Sequence, residues 1–85
     1  MSDLGKRFDQ AQAEAKTLTE RPDDSVLLRL YALYKQGSEG DITGQRPGFF
    51  DFKGGAKFDA WEKLKGTAKA TAQQQYVDLV TKLAR

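Results

Sequence analysis

Lys35 and Lys57 are the residues whose placement suggests chemistry, and the chemistry is anion binding. Each lies in a run whose apolar residues recur at helical spacing. At about 100° per residue, Lys35 projects between Leu28 and Tyr31, and Lys57 between Leu64 and Trp61. One reading is that each stem lies along apolar surface while its ammonium reaches water. The other is that both ammonium groups share a counter-charge such as a phosphate.

Other chemistry is largely excluded. The chain has no histidine and no cysteine, so it lacks the usual general base, the commonest metal ligand and any thiolate. Ser2, Ser25 and Ser38 have no lysine or carboxylate at motif spacing. Asp41, Asp51, Asp59 and Glu62 read as caps, turns and solvated faces. GGAK at 54–57 is a poor imitation of a phosphate-binding loop. These absences point to a binding protein with no cofactor and no catalytic residues.

The charge is unevenly spread. The net charge is +2. Between Arg29 and Lys69, eight basic residues face five acidic ones, while six face seven in the remainder. A central excess this small suits a compact anionic ligand better than a nucleic acid. The N-terminus, MSDLGKRF, carries charges where a signal peptide needs an apolar region. No apolar run approaches the length of a membrane span. A cytoplasmic protein without membrane insertion is expected.

Four helices must position the two lysines. The first spans residues 3–19 on the stripe Leu4, Phe8, Ala11, Ala15 and Leu18, capped by Ser2 or Asp3 and stopped by Pro22. The second spans 24–36, with Asp23 as cap and Gly37 and Gly40 as stop signals. Its apolar residues cover most of its circumference, and Arg29, Ala32 and Gln36 mark its outer face. The third covers 54–65, and the fourth 68–83 with Thr67 as cap. Six of the eight glycines lie between Gly37 and Gly55, in a connection long enough to suggest use. Phe49, Phe50 and Phe52 follow the Pro47-Gly48 turn, and one or two of them should pin the loop to the core. At 85 residues, the chain reads as one domain, 1–85, an all-α four-helix bundle. The long link allows helices two and three to run in the same direction.

The stretch YALYKQGSEGDITGQRPGFFDFKGGAKFDAWEKLKG, residues 31–66, closely resembles the signature of the acyl-CoA-binding proteins. That signature reads YxxYKQAxxGD, then RPG, then a run ending in a DAW-like element and LKG. Its matches run through Tyr31, Tyr34, Lys35, Gln36, Gly40, Asp41, Arg46, Pro47, Gly48, Asp51, Lys57, Asp59, Ala60, Trp61 and Gly66. The likeness extends to Phe8 and Tyr76.

The resemblance implies an up-down-down-up bundle that binds medium- to long-chain fatty acyl-CoA, one ligand per monomer, for buffering and transport. It implies that the nucleotide and 3′-phosphate sit against Tyr31, Lys35, Lys57 and Tyr76, with Lys16, Tyr34 and Lys53 nearby. It implies an acyl groove lined by Phe8, Leu27 and Leu28. Gly55 stands where many members carry lysine, Phe58 where tryptophan is frequent, and Ala68 where serine is usual.

Those assignments agree with elementary chemistry. Adenine stacks on flat apolar surface. Ammonium groups and hydroxyls suit phosphate. An apolar groove stabilises an acyl tail by about 0.8 kcal/mol per methylene. The competing reading is a small helical module that docks a partner protein and has no CoA ligand, motivated by the broad apolar arc and the phenylalanine-rich loop.

Overall fold

The computed structural model describes residues 3–85. Its elements are α1 (Leu4–Ala15), α2 (Asp24–Glu39), α3 (Phe52–Glu62) and α4 (Lys69–Leu83), with no strand among the described residues. The all-α, four-helix expectation holds. None of these helices is long and apolar enough to cross a membrane.

α2 is the central helix. It packs on α4 and on α3, while α1 packs on α4. The core collects Phe8 and Ala11 from α1, Leu30 and Leu33 from α2, and Ala72, Tyr76 and Val80 from α4. Burying each of the larger side chains contributes about 1.5–3 kcal/mol. The backbones of α1 and α2 do not meet closely, so a groove remains between them.

Several boundaries differ from the sequence expectation, each for a local reason. α1 stops at Ala15, well before Pro22. Its last turn tightens as the Lys16 and Thr17 amides bond to the carbonyls of Ala13 and Glu14. The Thr17 hydroxyl also donates to the Glu14 carbonyl at 2.9 Å, a local bond that competes with helix continuation. Asp3 is the N-cap but makes no side-chain cap bond. Ser2 lies outside the described residues.

α2 runs through Gly37 to Glu39. Gly37 is a packing residue, since a Cβ there would lie 3.0 Å from Gln73 Cγ and 3.1 Å from Phe8 Cζ. Gly40 closes the helix with φ of 86°, a conformation that favours glycine. At the other end the Asp23 carboxylate accepts from the Val26 amide at 3.0 Å, as expected of a cap. That bond and one from Ser25, the larger influence, lower the Asp23 pKa. α3 begins two residues before the expected Gly54 because Asp51 caps it, accepting from the Gly54 amide at 2.9 Å. It ends at Glu62, before Lys65. Ala68, not Thr67, is the N-cap of α4, and no side chain caps that end.

Two further expectations fail. Ala32 and Gln36 are not on an outer face: they are 2% and 0% exposed. α3 covers that side of α2, and Arg29 alone of the three stays exposed. The three loop phenylalanines do not reach the core: Phe49, Phe50 and Phe52 are 79%, 85% and 74% exposed. Polar anchors hold the loop instead. Arg46 makes a bidentate bridge to Asp59 at 3.0 and 3.1 Å, and the Asp51 amide donates to the Gly48 carbonyl at 2.9 Å.

Gln36 joins the pieces. Its Nε2 donates to Asp41 Oδ1 at 2.8 Å and to the Thr67 carbonyl at 2.7 Å. Its Oε1 accepts from Trp61 Nε1 at 3.1 Å. The indole also donates to the Gly40 carbonyl at 2.9 Å, and Asp41 accepts from the Gly66 amide at 2.8 Å. The Gly66 amide first, then the Gln36 amide, hold the Asp41 carboxyl below its ordinary range. One buried side chain thus links the loop after α2, the end of α3 and the entry to α4. Gln36→Leu should keep the volume but strand these partners, lowering stability by about 2–4 kcal/mol in urea unfolding. A midpoint equal to the parent's would show that the network is dispensable.

Candidate functional site

Two grooves flank α2 and meet at Leu27 and Tyr31. The first, about 330 Å³, lies between α1 and α2. Its wall includes Lys16, Leu18, Pro22, Leu27, Tyr31, Tyr34 and Tyr76. Leu18 reaches it because α1 ends early and releases the following residues. The second, about 380 Å³, lies between α2 and the start of α3. Leu27, Leu28, Tyr31, Phe52, Lys53, Ala56 and Lys57 line it, with Asp24 at its edge. Both are apolar troughs with cations on their walls, an arrangement matched to an amphiphilic anion.

The two lysines that project among apolar residues are accounted for by aromatic rings. Lys57 Nζ lies 5.1 Å from the Tyr31 ring centroid, and Lys35 Nζ lies 5.0 Å from that of Trp61. Both distances fall within cation–π range. Tyr31 and Trp61 face a common cleft beneath the loop, which also holds Pro47, Lys57 and Phe58. Lys57 is exposed, while the Lys35 side chain is 22% exposed and is paired with Glu39. That carboxylate is the main cause raising the Lys35 pKa above 10.5, with burial opposing it. Among the described residues, Lys16, Lys53 and Lys57 take part in no ion pair.

Tyr76 has its ring in the core, edge-on to Phe8 with centroids 5.3 Å apart, and also borders the first groove. Burial first, and Tyr34 second, push its phenol above the ordinary 10.0. No tyrosine hydroxyl has a hydrogen-bond partner among the described residues, and none is sealed from the surface. All three therefore retain donors for a ligand.

Eight of the ten expected residues line the first groove or the second: Lys16, Leu27, Tyr31, Tyr34 and Tyr76 the first, with Leu28, Lys53 and Lys57 added by the second. Lys35 stands apart, over Trp61. Phe8 differs from its expected role. It is 5% exposed, packs on Tyr34 and Tyr76, and lines neither groove. It lies on the α4 side of α1, where the core claims it. Sequence reasoning did not assign Leu18, Pro22 or Phe52 to the walls. Residue type alone carries no such signal, because irregular segments bring them there.

Gly55 lies against the Arg46 guanidinium. A Cβ at that position would lie 2.7 Å from Arg46 Nη2, so any side chain there would require the flexible Arg46 guanidinium, which bridges to Asp59, to shift. That ion pair raises the Arg46 pKa and lowers the Asp59 pKa. Among the described residues no cluster of side chains is arranged to hold a metal ion.

The acyl CoA binding protein family matches residues 5–80. This chain belongs to that family. It is 54% identical over 76 residues to acyl-CoA-binding protein homolog 1 of Caenorhabditis elegans, covering 89% of this chain and 88% of that one. It is 46% identical over 77 residues to the acyl-CoA-binding protein homolog of Drosophila melanogaster, covering 91% and 90%. The crystal structure of Oryza sativa acyl-CoA-binding protein 2 superposes with a TM-score of 0.90 at 38% identity, covering 94% of this chain and 89% of that one.

The Tyr76 environment has a measurable consequence. Its folded pKa lies above 10.0, so the neutral phenol stabilises the fold fully below that pH and progressively less as pH rises through the folded value. In an alkaline absorbance titration, a phenol step above the ordinary range should vanish in Tyr76→Phe. If that step persists, burial of this ring is not its cause.

Proposed function

We infer that this protein binds fatty acyl-CoA esters without catalysing a reaction on them. The observation that carries the reading is the meeting of two apolar grooves at Tyr31, with cations on their walls. Family membership supports the same ligand. A tail of medium to long length lies along Leu27 and Leu28, where each buried methylene contributes about 0.8 kcal/mol. The nucleotide and its 3′-phosphate lie against Tyr31, Lys35, Lys57 and Tyr76, with Lys16, Tyr34 and Lys53 around them.

The chemistry assigns each group a role. Lysine ammonium groups give charge-assisted bonds to phosphate oxygens. Tyrosine hydroxyls add directed donors, and their rings offer adenine a stacking face. The three lysines without ion-pair partners among the described residues meet an anion with no such ion pair broken.

The chain acts as one domain, 1–85, and as a monomer holding one ligand. It buffers and carries acyl-CoA in the cytoplasm, without membrane insertion and without nucleic acid. The small central charge excess suits a single anionic ligand better than a polyanion. The other reading open to the sequence is a partner-docking module with no CoA ligand. The exposed Phe49–Phe50 pair, edge-on at 5.2 Å, speaks for it. It leaves the lysines and tyrosines around both grooves without a role.

Titration calorimetry with palmitoyl-CoA should give a single site, with free CoA and free palmitate each far weaker. Lys35→Ala should weaken palmitoyl-CoA by about 10- to 100-fold, the worth of one bond to a charged group. The helical circular dichroism should not change. Equal affinity for free palmitate would remove the phosphate from the argument. Native mass spectrometry of the purified protein should reveal a co-purified acyl-CoA and its chain length.

A further inference from the structure

Glu39 is the last residue of α2, and its carboxylate holds the ammonium of Lys35 one turn earlier. Helix stability does not account for this acid. An i,i+4 pair is stronger with the acid on the N-terminal side, and here the order is reversed. A carboxylate at a helix C-terminus also faces the negative end of the dipole. The Glu39 side chain bonds to Lys35, and no other ion-pair partner for it occurs among the described residues.

Lys35 differs from the other lysines placed around the ligand. Lys16, Lys53 and Lys57 form no ion pair among the described residues, whereas Lys35 has an internal counter-ion. The two partners are unequal: the Lys35 side chain is 22% exposed and that of Glu39 is 54% exposed. Lys35 is therefore held in place over Trp61, while Glu39 has open solvent into which it can turn.

We propose that Glu39 is an internal counter-ion for Lys35 that competes with the 3′-phosphate of the ligand and so limits affinity for nucleotide head groups that carry that phosphate. The proposal rests on the reading of Lys35 as a phosphate contact. On binding, the Lys35 ammonium passes a hydrogen bond from the Glu39 carboxylate to a phosphate oxygen, and no covalent bond changes. A phosphate monoester carries about 1.5 to 2 negative charges at neutral pH, against one on the carboxylate. The exchange therefore favours the ligand. It still removes an existing ion pair and leaves a like charge beside the phosphate, both of which weaken binding.

The sign is unusual for a residue at the edge of a binding site, because removing it should improve binding. Glu39→Gln should bind palmitoyl-CoA about two- to fivefold more tightly, the range spanned by exposed ion pairs. Glu39→Asp keeps the charge and should stay near the parent. Neither change should alter affinity for 3′-dephospho-palmitoyl-CoA, which lacks the competing group. Calorimetric titration of the three proteins with the two ligands measures all of this, with circular dichroism as the control for folding. Unchanged or weaker binding of palmitoyl-CoA by Glu39→Gln would overturn the role of Glu39 alone. An equal gain for both ligands would do the same, since the effect would then not involve the 3′-phosphate. If the parent protein does not distinguish the two ligands, both the phosphate contact at Lys35 and the competition fall.

Discussion

The buried amide of Gln36 is the interaction on which the geometry of the site depends. It is 0% exposed, and its donors and acceptor are taken by Asp41, the Thr67 carbonyl and the Trp61 indole. Those groups come from three separate segments. Hydrogen bonds are directional, so the amide sets the rotation of α3 against α2 more narrowly than apolar packing would. Trp61 lies one helical turn after Lys57. Holding the indole therefore also fixes where Lys57 emerges, over the face of Tyr31.

The residues of the family signature divide by what they touch. Gln36, Gly40, Asp41, Arg46, Asp51, Asp59, Trp61 and Gly66 have their polar partners inside the chain. They shape the loop at 40–51 and the link before α4. Lys16, Lys53, Lys57 and the tyrosines face the grooves with no ion pair or hydroxyl bond among the described residues. Unpaired cations on one small surface repel one another, a modest cost in stability that an anionic ligand reverses. Lys35 belongs to both groups, because its partner Glu39 is internal but exchangeable.

The openness of the bundle has an equally simple origin. The backbone of α1 lies close to α4 but not to α2, which it meets through the Phe8 side chain at Tyr34 and Gly37, so apolar surface on α2 is left uncovered by helix. The local bonds of Thr17 stop α1 early, and the released residues Leu18 and Pro22 become wall. On the other flank α3 covers Ala32, while Leu27 and Leu28 remain partly open beside Phe52. A helix with apolar residues over most of its circumference thus serves the core and two grooves at once.

Helical periodicity was enough to place four helices and an all-α fold, because burial of an apolar stripe imposes a 3.6-residue repeat on the chain itself. The lack of histidine and cysteine removes most catalytic chemistry, and the two lysines among apolar residues make anion binding one of two readings, since residue type determines which groups are available. What the linear chain left open depended on neighbours distant in sequence. By spacing alone Ala32 and Gln36 fall on an outer face, because their own helix offers no sign that α3 covers them. Gly37 has the residue type of a helix stop, although its lack of a side chain serves close packing against Phe8 and Gln73. Apolar character alone suggests that one or two of Phe49, Phe50 and Phe52 anchor the loop, a task that falls to Arg46 with Asp59 and to Asp51. Composition and spacing determined which groups the protein possesses. Only the tertiary structure decided which cations remain unpaired, which apolar residues are left uncovered and which lysine already holds a counter-ion, because each depends on the groups that folding brings alongside.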